Sequence, residues 1–273
     1  MPPIYEYRIL AFVDILGFKN MVHTSAFVPQ EQSRIMKAME IIHSYKTLND
    51  AGEDGGLRKL GVQVTTFSDS AILSYPIGFN GGLFHSLLDL IHMQMELANI
   101  GVFIRGGVTI GLAHHDEHNA FGPAMVEAYR LESEQAVYPR IILTGQTLQA
   151  GIALSRSHWN PEDMSLMNSV VRQDRDGFYY LDFLRQSQEL DSPEDDYYNW
   201  LSKIRGYLIY NLNLYYGNAS VYPKYLWMLD YWNDVLNLRE LSVPVEGEIG
   251  EDRAQQILNG YEGLRIKPEY PYR

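Results

Sequence analysis

The chain has 273 residues, 46% of them apolar and 12% aromatic, which supplies a large packed core and excludes a disordered polymer. A formal charge of −12 argues against a passive nucleic-acid binder, which needs a basic face, but is compatible with a nucleotide substrate whose charge a bound metal offsets. The absence of cysteine excludes disulfides, thiolate nucleophiles and cysteine-based zinc or iron–sulfur sites. The opening residues MPPIYEYR lack the layout of a signal peptide, and no uninterrupted apolar run approaches the ~20 residues of a spanning helix. The expectation is a soluble cytoplasmic protein.

Residues 4–13 read as a first strand, and the run ILAFVDILGF (residues 9–18) places Asp14 at its end and the turn residue Gly17 just beyond. Pro29-Gln30-Glu31 opens a helix whose apolar positions are Ile35, Met36, Met39, Ile42 and Tyr45. Asn49–Gly56 is a polar, Gly-rich loop. Val62, Val64 and Thr66 then alternate with Gln63 and Thr65, the period of a strand; Ser68-Asp69-Ser70 turns, and Ala71–Tyr75 returns. A helix over about 81–99 follows, with Leu83, Leu87, Leu90, Ile91 and Met95 on its apolar face. Val102–Leu112 is a Gly-rich strand, Phe121–Ala136 has helical spacing, and Arg140–Thr144 closes as a strand.

The order β-α-ββ-α-β-α-β predicts an α+β fold with a mixed, ferredoxin-like sheet over residues 1–150. Residues 151–273 are expected to be a mostly helical extension packing on it: 160–195 polar and irregular, 197–240 aromatic and helical, 241–273 loop with a short helix. The Tyr and Trp of these helices read as packing rather than as a base-stacking surface.

Asp14 and Asp69 attract attention for the same reason. Each ends or turns an apolar strand, where an isolated carboxylate is costly unless paired, protonated or bound to a metal. Contributed by neighbouring strand ends, they form a hard-oxygen site suited to Mg²⁺ or Mn²⁺; alternatively, Asp14 caps its turn and Asp69 makes its hairpin. A haloacid-dehalogenase-type site needs a second Asp two residues on, where Leu16 stands. No GxxxxGK[ST] and no GxGxxG occurs. His114-His115-Asp116-Glu117-His118 does not fit HExxH and reads as a solvated loop. Arg130, four residues before Glu134, fits a helix salt bridge as well as a catalytic role.

Taken in order, FVDILGF (12–18), FSDS (67–70), RGGVTIG (105–111) and FGPAMVEAYRLE (121–132) resemble the class III nucleotidyl cyclase catalytic domain, with the closest flavour that of the pyrimidine cyclases of Pycsar anti-phage systems. The resemblance covers about residues 5–145. It implies a homodimer with active sites across the interface and two Mg²⁺ or Mn²⁺ ions per site, held by Asp14, Asp69 and the Ile15 carbonyl. It further implies a triphosphate cradle from the backbone of Ile15, Leu16, Gly17 and Phe18, and Arg130 as the arginine that balances charge at the α-phosphate. The family's ribose-positioning asparagine falls on Val126, and its adenine-reading lysine and aspartate fall on Thr65 and Asn119, which implies a base other than a purine. Phosphate or dimer contacts are open to Arg105 and Arg140, and spacing settles neither role. The implied function is conversion of UTP to 3′,5′-cyclic UMP for a downstream cyclic-nucleotide effector, without nucleic-acid or membrane partners. A cytidylate cyclase and a non-catalytic nucleotide-binding module are the alternatives.

Overall fold

A computed structural model describes residues 4–50, 61–78, 82–155, 167–190, 193–237 and 259–267. Most of the expected loop at 49–56, the start of the segment expected to be irregular (160–166) and most of the tail (241–258 and 268–273) lie outside the described residues. The chain divides into two compact units, Met1–Phe183 and Leu184–Arg273.

The first unit is α+β. Its sheet has the order β2-β3-β1-β4-β6-β8-β7, with β5 (Ala120–Phe121) pairing off this path with β4. The central strand β1 (Glu6–Ile15) lies between β3 (Ser70–Pro76) and β4 (Ile104–His115), antiparallel to both, and β2 (Gln63–Phe67) completes a hairpin with β3. β6 (Ile141–Leu143) runs parallel to β4, and this pairing makes the sheet mixed. β7 (Val171–Gln173) and β8 (Tyr179–Leu181) continue the sheet antiparallel. The sheet therefore reaches past the expected boundary at residue 150, and part of the segment expected to be irregular is a hairpin. Strands of three residues are too short to display a period of two.

The helices follow in chain order: α1 (Phe18–Ser25), α2 (Pro29–Asp50), α3 (Gly82–Ala98), α4 (Pro123–Arg130) and α5 (Gly145–Ser155). On one face of the sheet, Leu10 and Ala113 pack against Ala124 and Ala128 of α4, with Phe12, Ile72 and Met125 around them. The approach of α4 is closest at Gly107, where an added Cβ would stand 2.4 Å from Leu131 Cβ and 2.7 Å from the Ala128 carbonyl oxygen. On the other face, α3 and α5 meet β4 where Leu83, Gly151 and Ile110 adjoin. The expected apolar face of α3 is buried at all five positions. In α2 the buried stripe runs through Ala38 and Ile42, and Met36 lies off it, 60% exposed.

The second unit contains α6 (Pro193–Leu214), α7 (Tyr222–Val235) and a short helix at 259–263. Its aromatic residues pack, as expected: Tyr197, Trp200, Tyr225, Tyr231 and Trp232 are buried, and the Trp232 indole donates to the Leu264 carbonyl at 3.2 Å. No helix among the described residues is long and apolar enough to cross a membrane.

Candidate active site

Asp14 and Asp69 come together because β1 and the β2–β3 hairpin are sheet neighbours. Register places Asp14 opposite Ser70 on one side and Arg105 on the other. The hairpin turns over Ser68 and Asp69, with Ser68 at φ 51, a left-handed conformation uncommon outside glycine. The Ile15 amide donates to the Asp69 carbonyl oxygen at 3.2 Å and the Ser70 hydroxyl to Asp14 Oδ1 at 3.2 Å, so the turn is tied to the end of β1. The two carboxyl groups lie within hydrogen-bonding reach of each other.

The electrostatics of this corner are unusual for a carboxylate. Burial, the Asp69 charge and the Glu132 charge push the Asp14 carboxyl up to about 7, with Arg105 opposing them. Arg105 Nη2 lies 2.7 Å from Glu132 Oε1 and 3.7 Å from Asp14 Oδ2, and Nη1 donates to the Glu132 carbonyl oxygen at 3.4 Å. Glu132 is 3% exposed and stands on a π-helical turn, Leu131–Gln135, that continues α4. Such turns recur at functional sites. Glu132 was not among the expected site residues, and Arg105, whose role spacing left open, forms ion pairs with both Glu132 and Asp14.

The backbone after Asp14 is partly committed. The Leu16 amide donates to the Phe103 carbonyl oxygen at 2.9 Å, and the Ile15 amide is used as described. The amides open to a ligand are therefore those of Gly17 and Phe18, at the start of α1, where no acceptor exists within the helix. Gly17 takes φ 78 as the residue preceding α1, a conformation that accounts for the turn expected there.

The other expected residues stand apart from this corner. Arg130 is on the exposed side of α4, paired with Glu127 at 2.7 and 2.8 Å and with Glu134 at 3.6 Å. Thr65 shares the face of Asp14 but lies two residues along the strands, about 7 Å, and two strands across, about 10 Å. Asn119 sits in the tight β4–β5 loop, where Asp116 accepts from the amides of His118 and Asn119 at 2.8 Å. Arg140, whose role spacing left open, is 1% exposed and bound to Asp174 and Asp176 of the β7–β8 hairpin, where it fastens that hairpin to β6.

A buried polar chain reaches Thr65. Arg8 Nε donates to the Ser74 hydroxyl at 2.8 Å, and an arginine is only ever a donor. Ser74 Oγ lies 2.7 Å from His115 Nδ1, and His115 Nε2 lies 3.0 Å from Thr65 Oγ1. With Ser74 passing its own hydrogen to Nδ1, neutral His115 donates from Nε2, which fixes the Thr65 hydroxyl. His115, expected in a solvated loop, is thus core. Burial and the nearby Arg8 push its imidazole down to about 4. A folded-state value below the unfolded one contributes stability present above pH ~6.5 and lost as pH falls towards 4. Chemical unfolding should accordingly show a declining midpoint over that window, and His115→Gln should remove this component of the decline.

Comparisons with known proteins place little beside the chain. No family model matches it, and no curated protein matches it. Among solved structures, a guanylyl cyclase aligns at 14% identity over 54% of this chain and 79% of its own, with a TM-score of 0.37. The catalytic core of a rhodopsin-guanylyl cyclase with converted specificity, in complex with ATPαS, aligns at 16% identity over 65% and 95%, with a TM-score of 0.37. An adenylate/guanylate cyclase/hydrolase from Silicibacter pomeroyi aligns at 11% identity over 65% and 97%, with a TM-score of 0.36. At these values the functional reading rests on the residues of the site itself.

Proposed function

We propose that the chain is a nucleotidyl cyclase of the class III type that converts UTP to 3′,5′-cyclic UMP and pyrophosphate within an anti-phage signalling system. The observation that carries this reading is the meeting of Asp14 and Asp69 at one corner of the sheet, beside the amides of Gly17 and Phe18. Among the described residues no group of three or more acidic or histidine side chains is arranged to hold a metal, so the donor set is this carboxylate pair, completed by backbone and substrate oxygens. Its chemistry fits a divalent cation: burial first, and then the charges of Asp69 and Glu132, push the Asp14 carboxyl up to about 7, and a cation between the two hard-oxygen donors offsets that accumulated negative charge. Asp14, Asp69 and the Ile15 carbonyl would hold two Mg²⁺ or Mn²⁺ ions, which supply acidification of the ribose 3′-hydroxyl and neutralisation of the departing pyrophosphate.

The chain's own residues take the remaining roles. Gly17 and Phe18 amides bind the triphosphate at a helix N-terminus. Arg130 balances charge at the α-phosphate, and its exposed ion pairs with Glu127 and Glu134 are exchanged for phosphate oxygens at little cost. Thr65, fixed by His115, and Asn119 face the base, and both are neutral polar groups that suit a base other than a purine. A homodimer is expected over the α4 face, where Val126 is 68% and Tyr129 53% exposed.

Incubation with each of the four nucleoside triphosphates and Mn²⁺ tests the proposal, with cyclic UMP as the expected product. Cyclic CMP alone would move the assignment to a cytidylate cyclase. Mn²⁺ binding without any cyclic product from a folded protein would leave a nucleotide-binding signalling module.

A further inference from the structure

We propose that Glu132 is a positioning residue that holds the Arg105 guanidinium beyond hydrogen-bonding distance of Asp14 and so keeps the Asp14–Asp69 pair open to a divalent cation. The inference rests on the metal reading given above. Arg105 and Asp14 are direct cross-strand partners in the β1–β4 register, an arrangement in which opposite charges ordinarily pair with each other. Here the pair is loose: Nη2 is 3.7 Å from Asp14 Oδ2, an ion pair beyond hydrogen-bonding distance, but 2.7 Å from Glu132 Oε1, and Nη1 is turned to the Glu132 main-chain oxygen at 3.4 Å.

The holding group is the rigid one. The Glu132 side chain is 4% exposed, on a π-helical turn pressed against Gly107, whereas Arg105 is 22% exposed. A guanidinium released from Glu132 has Asp14 as its next carboxylate and would occupy the charge that a metal needs. Glu132 therefore aids cation binding without touching the cation, the opposite of what a third carboxylate ligand would do. The two roles separate in a double-mutant cycle.

Calorimetric titration of Mn²⁺ into the full chain at pH 8 reads this directly, without turnover. Glu132→Gln is expected to weaken Mn²⁺ binding about tenfold, the equivalent of about 1.4 kcal/mol. Arg105→Gln combined with Glu132→Gln is expected to restore affinity to near the wild-type value, because no guanidinium remains to compete. A double variant as weak as Glu132→Gln would make Glu132 a ligand and overturn the proposal, as would unchanged binding in Glu132→Gln. If the Glu132→Gln chain does not fold, Arg105→Gln alone decides: undiminished or tighter Mn²⁺ binding supports the proposal, and weakened binding overturns it. Asp14→Asn serves as the reference, since Mn²⁺ heat that survives this substitution would remove the metal reading itself rather than the role of Glu132.

Discussion

Replacing Asp14 with Asn should abolish Mn²⁺ binding and cyclase turnover, yet make the metal-free protein more stable at pH 8. The sign follows from the raised carboxyl. A group whose folded-state value lies above its unfolded value, here about 7 against 3.8, contributes stability that is fully present below the lower value and lost as pH rises through the higher one. Between about pH 4 and 7 the metal-free fold therefore weakens as Asp14 ionises beside Asp69 and Glu132. Asparagine resembles the protonated acid and escapes this loss. The expected gain is on the order of 1–3 kcal/mol at pH 8, about a third to a half of that at pH 5 and close to zero only below about pH 4, read by denaturant unfolding across this range. The same proton competes with the metal, so wild-type Mn²⁺ affinity should fall up to about tenfold per unit below pH 7. Equal stability of wild type and variant at pH 8, with Mn²⁺ heat retained, would mean that Asp14 only caps its turn.

Gly107→Val should be severely destabilising to the first unit. Even the Cβ of alanine would stand 2.4 Å from Leu131 Cβ, 2.7 Å from the Ala128 carbonyl and 3.1 Å from the Glu132 amide, and two of these three neighbours are backbone. Something must shift, and the cost of overpacking is about 1–3 kcal/mol for alanine and more for a β-branched residue. For a domain of this size that corresponds to a fall of about 2–12 °C in Tm for alanine. Moving the turn also moves Glu132, so Mn²⁺ binding should weaken together with the melting temperature. Gly206→Ala, in α6, is the contrasting substitution: its Cβ meets nothing within 4 Å, and replacing a helical glycine should raise stability by about 0.5–1 kcal/mol. A Gly107→Ala protein that melts with the wild type would contradict the close approach of α4 to β4.

The central elements were legible in the sequence because their patterns are long. The ten-residue β1, the β2–β3 hairpin and the five buried positions of α3 follow directly from period and turn chemistry. Asp14 stands out because a carboxylate ends an apolar run, and Asp69 because one sits in the turn of an apolar hairpin. Glu132 carries the same signal. It stands four residues after Ala128 and next to Leu131, on the buried stripe of α4, and is as out of place there as Asp14 is on β1. What no pattern announces is the π-helical turn, because LESEQ suits an ordinary α-helix. His115 was hidden for another reason: a run of histidines and acids looks solvated by composition, and only the pairing of β4 with β5 shows that alternate residues of HHDEH face opposite sides.

The sheet's continuation through β8 and β7 decides where the chain can be cut. A fragment ending at residue 150 would interrupt α5, leave the hydrogen-bonding edge of β6 without β8, and deprive buried Arg140 of both Asp174 and Asp176. An uncovered edge ending in Ile141, Ile142 and Leu143 is a template for pairing with another chain, and an arginine stranded in an apolar interior is among the costlier defects a fold can carry. A cut that keeps the sheet whole accordingly falls after Phe183, and the hairpin around Asp174 and Asp176 acts as the latch at the sheet edge away from the candidate site.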